Sequence, residues 1–257
     1  MAMVAFDMPV PPDLAATITT STVAAAEMKE LASIPPIRLT ALKERAIELG
    51  VQSGLAHRAY EIDQMLEAAK TQLDTVYDFN ALLLDKNVMP AVLVEAKNSL
   101  TQSNADTVRL AAATYTIERQ ARFVTTPLNW RQYLIQEVKP QQRFGTSPVD
   151  KATLPTNAAE QKVWAQFVTE GWQLGVSQGN QIFDTSLARL DRDYRGMVLY
   201  KSLVIRGMIS TPFVAEANMG VTGDGRSMSV NDRVLRITTK PTLQTDPGNW
   251  KAIGVPQ

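Results

Sequence analysis

The chain has 257 residues, 45% hydrophobic and 20% charged, enough apolar material for one large domain or two small ones. Its 26 basic and 26 acidic residues cancel, so no net field draws it to nucleic acid or anionic lipid as a general partner, although a local basic patch is still allowed. The lack of cysteine removes disulfides, thiolate nucleophiles and zinc fingers together, and apolar runs such as Ala81–Leu84 fall far short of the ~20 residues that cross a bilayer.

Residues 1–36 scatter Pro9, Pro11, Pro12 and the pair Pro35-Pro36 among Ala and Thr. They read as a flexible tail or spacer, with at most a short helix over Ala24–Leu31. Residues 37–257 read as a single folded domain. A helical pattern runs from Pro36 to about Tyr77, with Leu42, Ala46 and Leu49 spaced by four and three. Gly50 and Gly54 interrupt it and shift its phase. Leu55, Ala59, Ile62, Leu66, Ala69, Leu73 and Val76 then continue as a heptad seam. Such a seam suits either a helix packed along its own core or an intermolecular coiled coil.

Phe79–Pro90 reads as a loop, Ala91–Asn98 as a short helix and Thr101–Asp106 as a turn. Thr107–Val124 reads as strands, because Tyr115, Ile117 and Arg119 alternate with Thr116, Glu118 and Gln120. Thr126-Pro127 offers a capping hydroxyl before a first-turn proline, which predicts a short helix through Trp130 and Tyr133. Residues 138–156, with Pro140, Gly145, Pro148 and Pro155, should be an irregular connection.

Asn157 followed by Glu160 has capping-box spacing and opens a helix to about Arg206. Trp164, Phe167, Val168, Trp172, Gly175, Gly179, Ile182, Leu187, Leu190, Tyr194, Met197 and Val198 mark its buried side. Arg189, Asp191, Arg192, Asp193 and Arg195 alternate in sign, the pattern of a solvated face. Pro212 closes the helical part, and Gly220, Gly223, Gly225 and Val234–Thr239 suggest a small β-region. The expected fold is α+β and helix-dominated: two long packed helices, a middle strand region and a small C-terminal β-module.

Chemistry is sparse. His57 is the one histidine, placed in a regular helix beside the seam, so it reads as a flank or packing residue and not as a catalytic base. The closest carboxylate pairs, Glu61 with Asp63 and Asp191 with Asp193, sit two apart on helices and point different ways. Gly220-Val-Thr-Gly-Asp-Gly225 departs from both nucleotide-binding fingerprints and reads as turn chemistry. No metal, cofactor or catalytic residue is expected.

The costliest feature is a glycine stripe. Gly171, Gly175 and Gly179 recur every fourth residue on one helix face, at roughly 1 kcal/mol each relative to alanine. That cost implies close backbone approach by a neighbour, either the first long helix of the same chain or another subunit.

Several ordered stretches carry a resemblance: Ser53–Ile62 (SGLAHRAYEI), Leu73–Leu82 (LDTVYDFNAL), Gln120–Pro127 (QARFVTTP) with Trp130–Leu134, Glu170–Trp172, Asn180–Phe183, Leu187–Tyr200 (LARLDRDYRGMVLY), Gly220–Gly225 and Arg233–Thr238. In order and spacing they resemble the DotC/TraI family of type IVB secretion and IncI-type conjugation systems, over residues 37–250. The resemblance implies a structural, non-enzymatic subunit of an outer-membrane core complex, on the periplasmic face of that membrane. Such a subunit is ringed with copies of itself and with DotD-like and DotH-like partners. Family members carry an export signal and a lipidated cysteine, and neither is visible here, so the chain is expected to begin inside the tail that follows the lipid. A free periplasmic adaptor or binding protein is the alternative reading, and an envelope glycosidase working through two carboxylates is the enzyme-class one.

Overall fold

The computed structural model describes residues 34–104, 106–135 and 154–251, together with Asp13. Nearly all of the expected tail, its short helix at Ala24–Leu31 and most of the 138–156 connection lie outside those residues. Among the described residues the elements are α1 (Pro36–Val76), β1 (Val88–Met89), β2 (Val92–Asn104), β3 (Thr107–Arg119), β4 (Arg122–Phe123), α2 (Arg131–Leu134), α3 (Ala158–Ile205), β5 (Phe213–Gly223) and β6 (Met228–Thr239). The fold is α+β and dominated by its two long helices. The chain divides into two compact units, the first reaching to Leu73 and resuming from Tyr133 to Leu187, the second holding Asp74–Gln132 and the remainder from Ala188.

In the first unit α1 and α3 pack through Leu42, Ala46, Trp164 and Val168, with Leu49, Leu154 and Phe167 around them. Ile34, Ala159 and Val163 extend this core at the start of α3. Helix α1 runs unbroken through Gly50 and Gly54, where an interruption was expected. Glycine costs helix propensity, but packing against a neighbour overrides it here.

The start of α3 is fixed by polar contacts. Asn157 Oδ1 accepts the Glu160 N–H at 2.8 Å, as the capping pattern predicts. The reciprocal half differs: the Glu160 carboxylate accepts the Thr156 N–H at 2.8 Å and the Thr156 hydroxyl at 3.1 Å. It also takes both arms of Arg38, Nε at 3.1 Å and Nη2 at 2.9 Å, and Arg38 donates onward to the Leu154 carbonyl at 2.6 Å. A bidentate guanidinium is a stronger donor set than one backbone N–H, so the acid turns toward α1 and ties the two helix starts together.

In the second unit three antiparallel pairs form: β1 with β4, β2 with β3, and β5 with β6. Its core joins Ala91, Leu93, Tyr200, Leu203 and Ile209, with Tyr115, Ile117 and Leu243 packed against them. The Tyr115–Ile117–Arg119 alternation therefore faces inward. Tyr200 donates its hydroxyl to the Ser210 carbonyl at 3.2 Å, and burial pushes its pKa up to about 12. Tyr194 receives Tyr77 and Phe79 edge-on, each with ring centroids 5.3 Å away. Asp74 accepts the Trp130 indole N–H and an Arg131 N–H, both at 2.7 Å.

Several expectations are corrected. Ala91–Asn98 is not a helix: Val92 opens the thirteen-residue strand β2, in which Val92 and Leu93 are buried and the backbone pairs along β3. Eight residues behind Pro90 form too short a helix to outweigh a complete ladder. The Thr101–Asp106 turn shrinks to the hairpin tip, where Asn104 Oδ1 accepts the Asp106 N–H at 3.1 Å. Phe79–Pro90 is more ordered than a loop, holding two short 3₁₀ turns and β1, with Phe79, Leu82, Val88 and Met89 buried. Thr126-Pro127 opens no helix; α2 starts at Arg131, capped by Asn129 Oδ1, which accepts the Arg131 N–H at 2.9 Å. Asp193 belongs to no solvated face. It is fully buried and bound by Arg119 Nη2 at 2.5 Å, because an ionised carboxylate taken out of water needs a charged partner. Val198 is exposed. The C-terminal β-module forms after Pro212 as expected, with β5 pairing along β6 from Phe213.

Glu160 yields a pH prediction. The Arg38 guanidinium and the Thr156 donors hold its carboxyl below the ordinary value of 4.5. A lowered folded-state pKa contributes stability that is complete above the unfolded value and lost as pH falls through the lowered one. Glu160→Gln should therefore cost about 1–3 kcal/mol at pH 7. Urea titrations across pH 2–7 should show the gap to wild type closing in acid, and a pH-independent gap would contradict this origin.

Candidate functional site

The sequence points to the glycine stripe as a place where this chain could do work, and the structure adds the strand regions. All three glycines of the stripe meet α1 of the same chain. A Cβ built on Gly171 would lie 2.9 Å from the Ile47 Cα, and one on Gly175 would lie 2.8 Å from the Leu55 amide nitrogen. These are backbone atoms that no rotamer change can move. Gly179 differs, since its Cβ would meet the Arg58 side chain, Cγ at 2.9 Å.

The contact is reciprocal. Gly50 on α1 would place a Cβ 2.9 Å from the Trp172 amide nitrogen, and Gly54 one 3.0 Å from the Trp172 Cα. The two glycines expected to interrupt α1 are thus its half of the contact. Their spacing of four was the visible signal, and it matches that of the stripe on α3.

His57 lies beside this contact, its ring tilted against Trp172 with centroids 5.2 Å apart and Nδ1 3.6 Å from a Glu61 carboxylate oxygen. Three of the four acids in the candidate catalytic pairs are engaged with arginines: Glu61 with Arg58 at 2.9 Å, Asp191 with Arg195 at 2.8 Å, and Asp193 with Arg119. Among the described residues no group of three or more His, Cys, Asp or Glu side chains gathers where a metal could sit, and no helix is long and apolar enough to cross a membrane.

Most of the exposed large apolar side chains among the described residues lie in strands, although Ile37, Val76, Leu174 and Ile205 on the long helices are exposed too. Leu100 lies directly opposite Leu110 across the β2–β3 pair, and Gln102 opposite Val108 one step along the same face. Leu100, Val108 and Leu110 are 49–78% exposed. The β5–β6 pair repeats the arrangement: Val221 faces Val230 and Gly223 faces Met228, with Val221, Met228 and Val230 61–71% exposed. The intervening Thr222 and Ser229 point the other way, and Thr222 donates to Asp232 at 2.6 Å.

The Gly220–Gly225 segment supplies the geometry of the β5–β6 ribbon. Gly220 (φ +72°) sits where the register shifts between Asn218 and Val221, and Gly223 (φ +150°) leads into the turn. Asp224 closes that turn by accepting the Arg226 and Ser227 N–H groups, both at 2.8 Å, and these donors hold its carboxyl below the usual range. The segment is turn chemistry and does not precede a helix.

The family model for type IV secretory system components of conjugal DNA–protein transfer matches residues 36–252. No curated protein matches the chain at a significant level.

A sign change tests the helix contact. Alanine for glycine in an open helix should stabilise by roughly 0.5–1 kcal/mol. Gly175→Ala should instead destabilise by about 2 kcal/mol or more, because Cβ meets fixed backbone, whereas Gly179→Ala should cost less, because the Arg58 Cγ and Cβ it meets belong to a side chain. Urea midpoints separate the two, and stabilisation by Gly175→Ala would refute the close approach. By a match over nearly its whole length, the chain belongs to the TraI/DotC-type family of type IV secretion and conjugation systems.

Proposed function

We propose that the chain is a structural, non-enzymatic subunit of the outer-membrane core complex of such a system, scaffolding the channel for protein or DNA–protein transfer. In this reading residues 37–257 work as one domain behind a spacer formed by residues 1–36. A lipid ahead of that spacer anchors the subunit to the periplasmic face of the outer membrane. Copies of the chain join in a ring with DotD-like and DotH-like subunits.

The observation that carries this reading is the pair of amphipathic ribbons. A two-stranded ribbon with an uncovered apolar face is marginal in water, and proteins rarely leave such faces open without use. Here there are two in one unit, β2–β3 around Leu100 and Leu110 and β5–β6 around Val221 and Val230. Bulges interrupt both ribbons, between Gln102 and Asn104 and between Asn218 and Val221, and bulges blunt strand edges against added strands. Faces are therefore the surfaces offered to neighbouring subunits.

A double substitution tests it. Leu110→Asp with Val230→Asp removes both apolar faces at sites remote from the buried residues of either unit. The variant should keep its circular dichroism and melting temperature within a few degrees of wild type. It should no longer co-purify with the envelope complex, and transfer should fall by at least tenfold. A variant that folds, assembles and supports transfer normally would remove the basis for this reading. Recovery of the wild-type protein solely as a free species would favour a periplasmic adaptor.

A further inference from the structure

The second unit contains a recess that the assembly reading does not use. It measures about 450 Å³ and is lined by Arg206, Met208, Trp250 and Lys251. Backbone hydrogen bonds build it: the Lys251 N–H donates to the Arg206 carbonyl at 2.7 Å, and the Gln244 N–H to the Met208 carbonyl at 2.8 Å. Gly207 adopts φ +68°, and a Cβ there would sit 3.0 Å from the Asn249 carbonyl oxygen, so the two segments meet closely.

The chemistry of the lining is divided. Arg206 and Lys251 stand on hydrogen-bonded neighbours, and neither forms an ion pair with a carboxylate of the described residues. The Tyr115 hydroxyl, within electrostatic reach of Arg206, donates to Glu95 at 2.9 Å. Helix α3 ends at Ile205, so its C-terminus favours basic side chains at this place. The Trp250 indole N–H is already spent on the Gln244 carbonyl at 3.0 Å. The exposed ring therefore offers an apolar face and no donor, with Met208 beside it.

Two cations with no ion pair among the described residues, beside an apolar floor, suit an oxyanion joined to an apolar body. Arg supplies a planar fork for phosphate oxygens, Lys a point charge, and Trp with basic neighbours is the grouping found at lipid–water boundaries. A space of this size accepts a headgroup and the first methylenes of its chains. We propose that this recess binds the phosphodiester headgroup of an anionic lipid, with Arg206 and Lys251 on the phosphate and Trp250 and Met208 against the glycerol and acyl carbons. This is a local site on a chain of zero net charge, and it stands apart from the ribbon contacts.

The probe is dihexanoyl phosphatidylglycerol below its micelle concentration, read by tryptophan emission of the whole chain, with Trp250→Phe identifying the responding ring. A saturable change is expected in wild type and absent in Trp250→Phe. Arg206→Gln with Lys251→Gln should weaken binding about 30-fold, from roughly fivefold for each cation near an anionic lipid. Dihexanoyl phosphatidylcholine should bind at least tenfold more weakly. No response to the anionic lipid, or equal affinity in the double variant, would overturn the site. Inorganic phosphate binding as tightly as the lipid would overturn the lipid assignment and leave a free-anion site.

Discussion

Where α1 and α3 meet, each helix gives up side chains so that the backbone of the other can enter. Gly50 and Gly54 admit the backbone around Trp172, while Gly171 and Gly175 admit the backbone of Ile47, Val51 and Leu55. Counting Gly179, five glycines inside helices forgo about 5 kcal/mol of helix propensity. That deficit is offset by dense van der Waals contact along the seam and by the buried cluster around Leu42, Trp164 and Val168. The rest of the first unit depends on this approach. The Arg38–Glu160 bridge keeps its 2.9 Å geometry only if the two helix starts stay side by side.

The helices were legible because their signals are periodic and long. The Asn157 cap, the seam through Ile62 and Leu66, and the glycine stripe could all be read from spacing alone. What spacing could not supply was the partner. Gly50 and Gly54 look like breaks in one sequence segment and become contacts only when a helix more than a hundred residues later is placed beside them. Ala91–Asn98 failed for the same reason: its strand state is settled by pairing with β3, a tertiary effect that local propensity does not carry. Asp193 sits in a run of alternating charge that usually stays wet, and its burial follows from Arg119 on β3. The candidate surfaces were harder still, since β5 carries Gly220 and Gly223, which read as turn residues and in fact shape a bulged ribbon.

The two units divide between two kinds of interaction. In the first, buried glycines and the Arg38–Glu160 bridge leave little room for adjustment. In the second, a small core around Leu93, Tyr200 and Leu203 supports ribbons whose outer apolar faces remain open. On the proposed reading, the first unit holds its own shape and the ribbons of the second are completed by neighbours. In both units acidic side chains are drawn into the fold by arginines, Glu61 by Arg58, Asp191 by Arg195 and Asp193 by Arg119.

The central claim is that the open ribbons are completed by neighbours while the helix contact is complete in the chain itself. Amide hydrogen exchange, compared between the isolated protein and the purified envelope complex, tests both halves at once. The amides of residues 47–58 and 168–179 should be slow to exchange in both samples. Those of residues 98–110 and 219–230 should exchange quickly in the isolated chain and become protected in the complex. Ribbon amides that exchange equally fast in both samples would contradict the account.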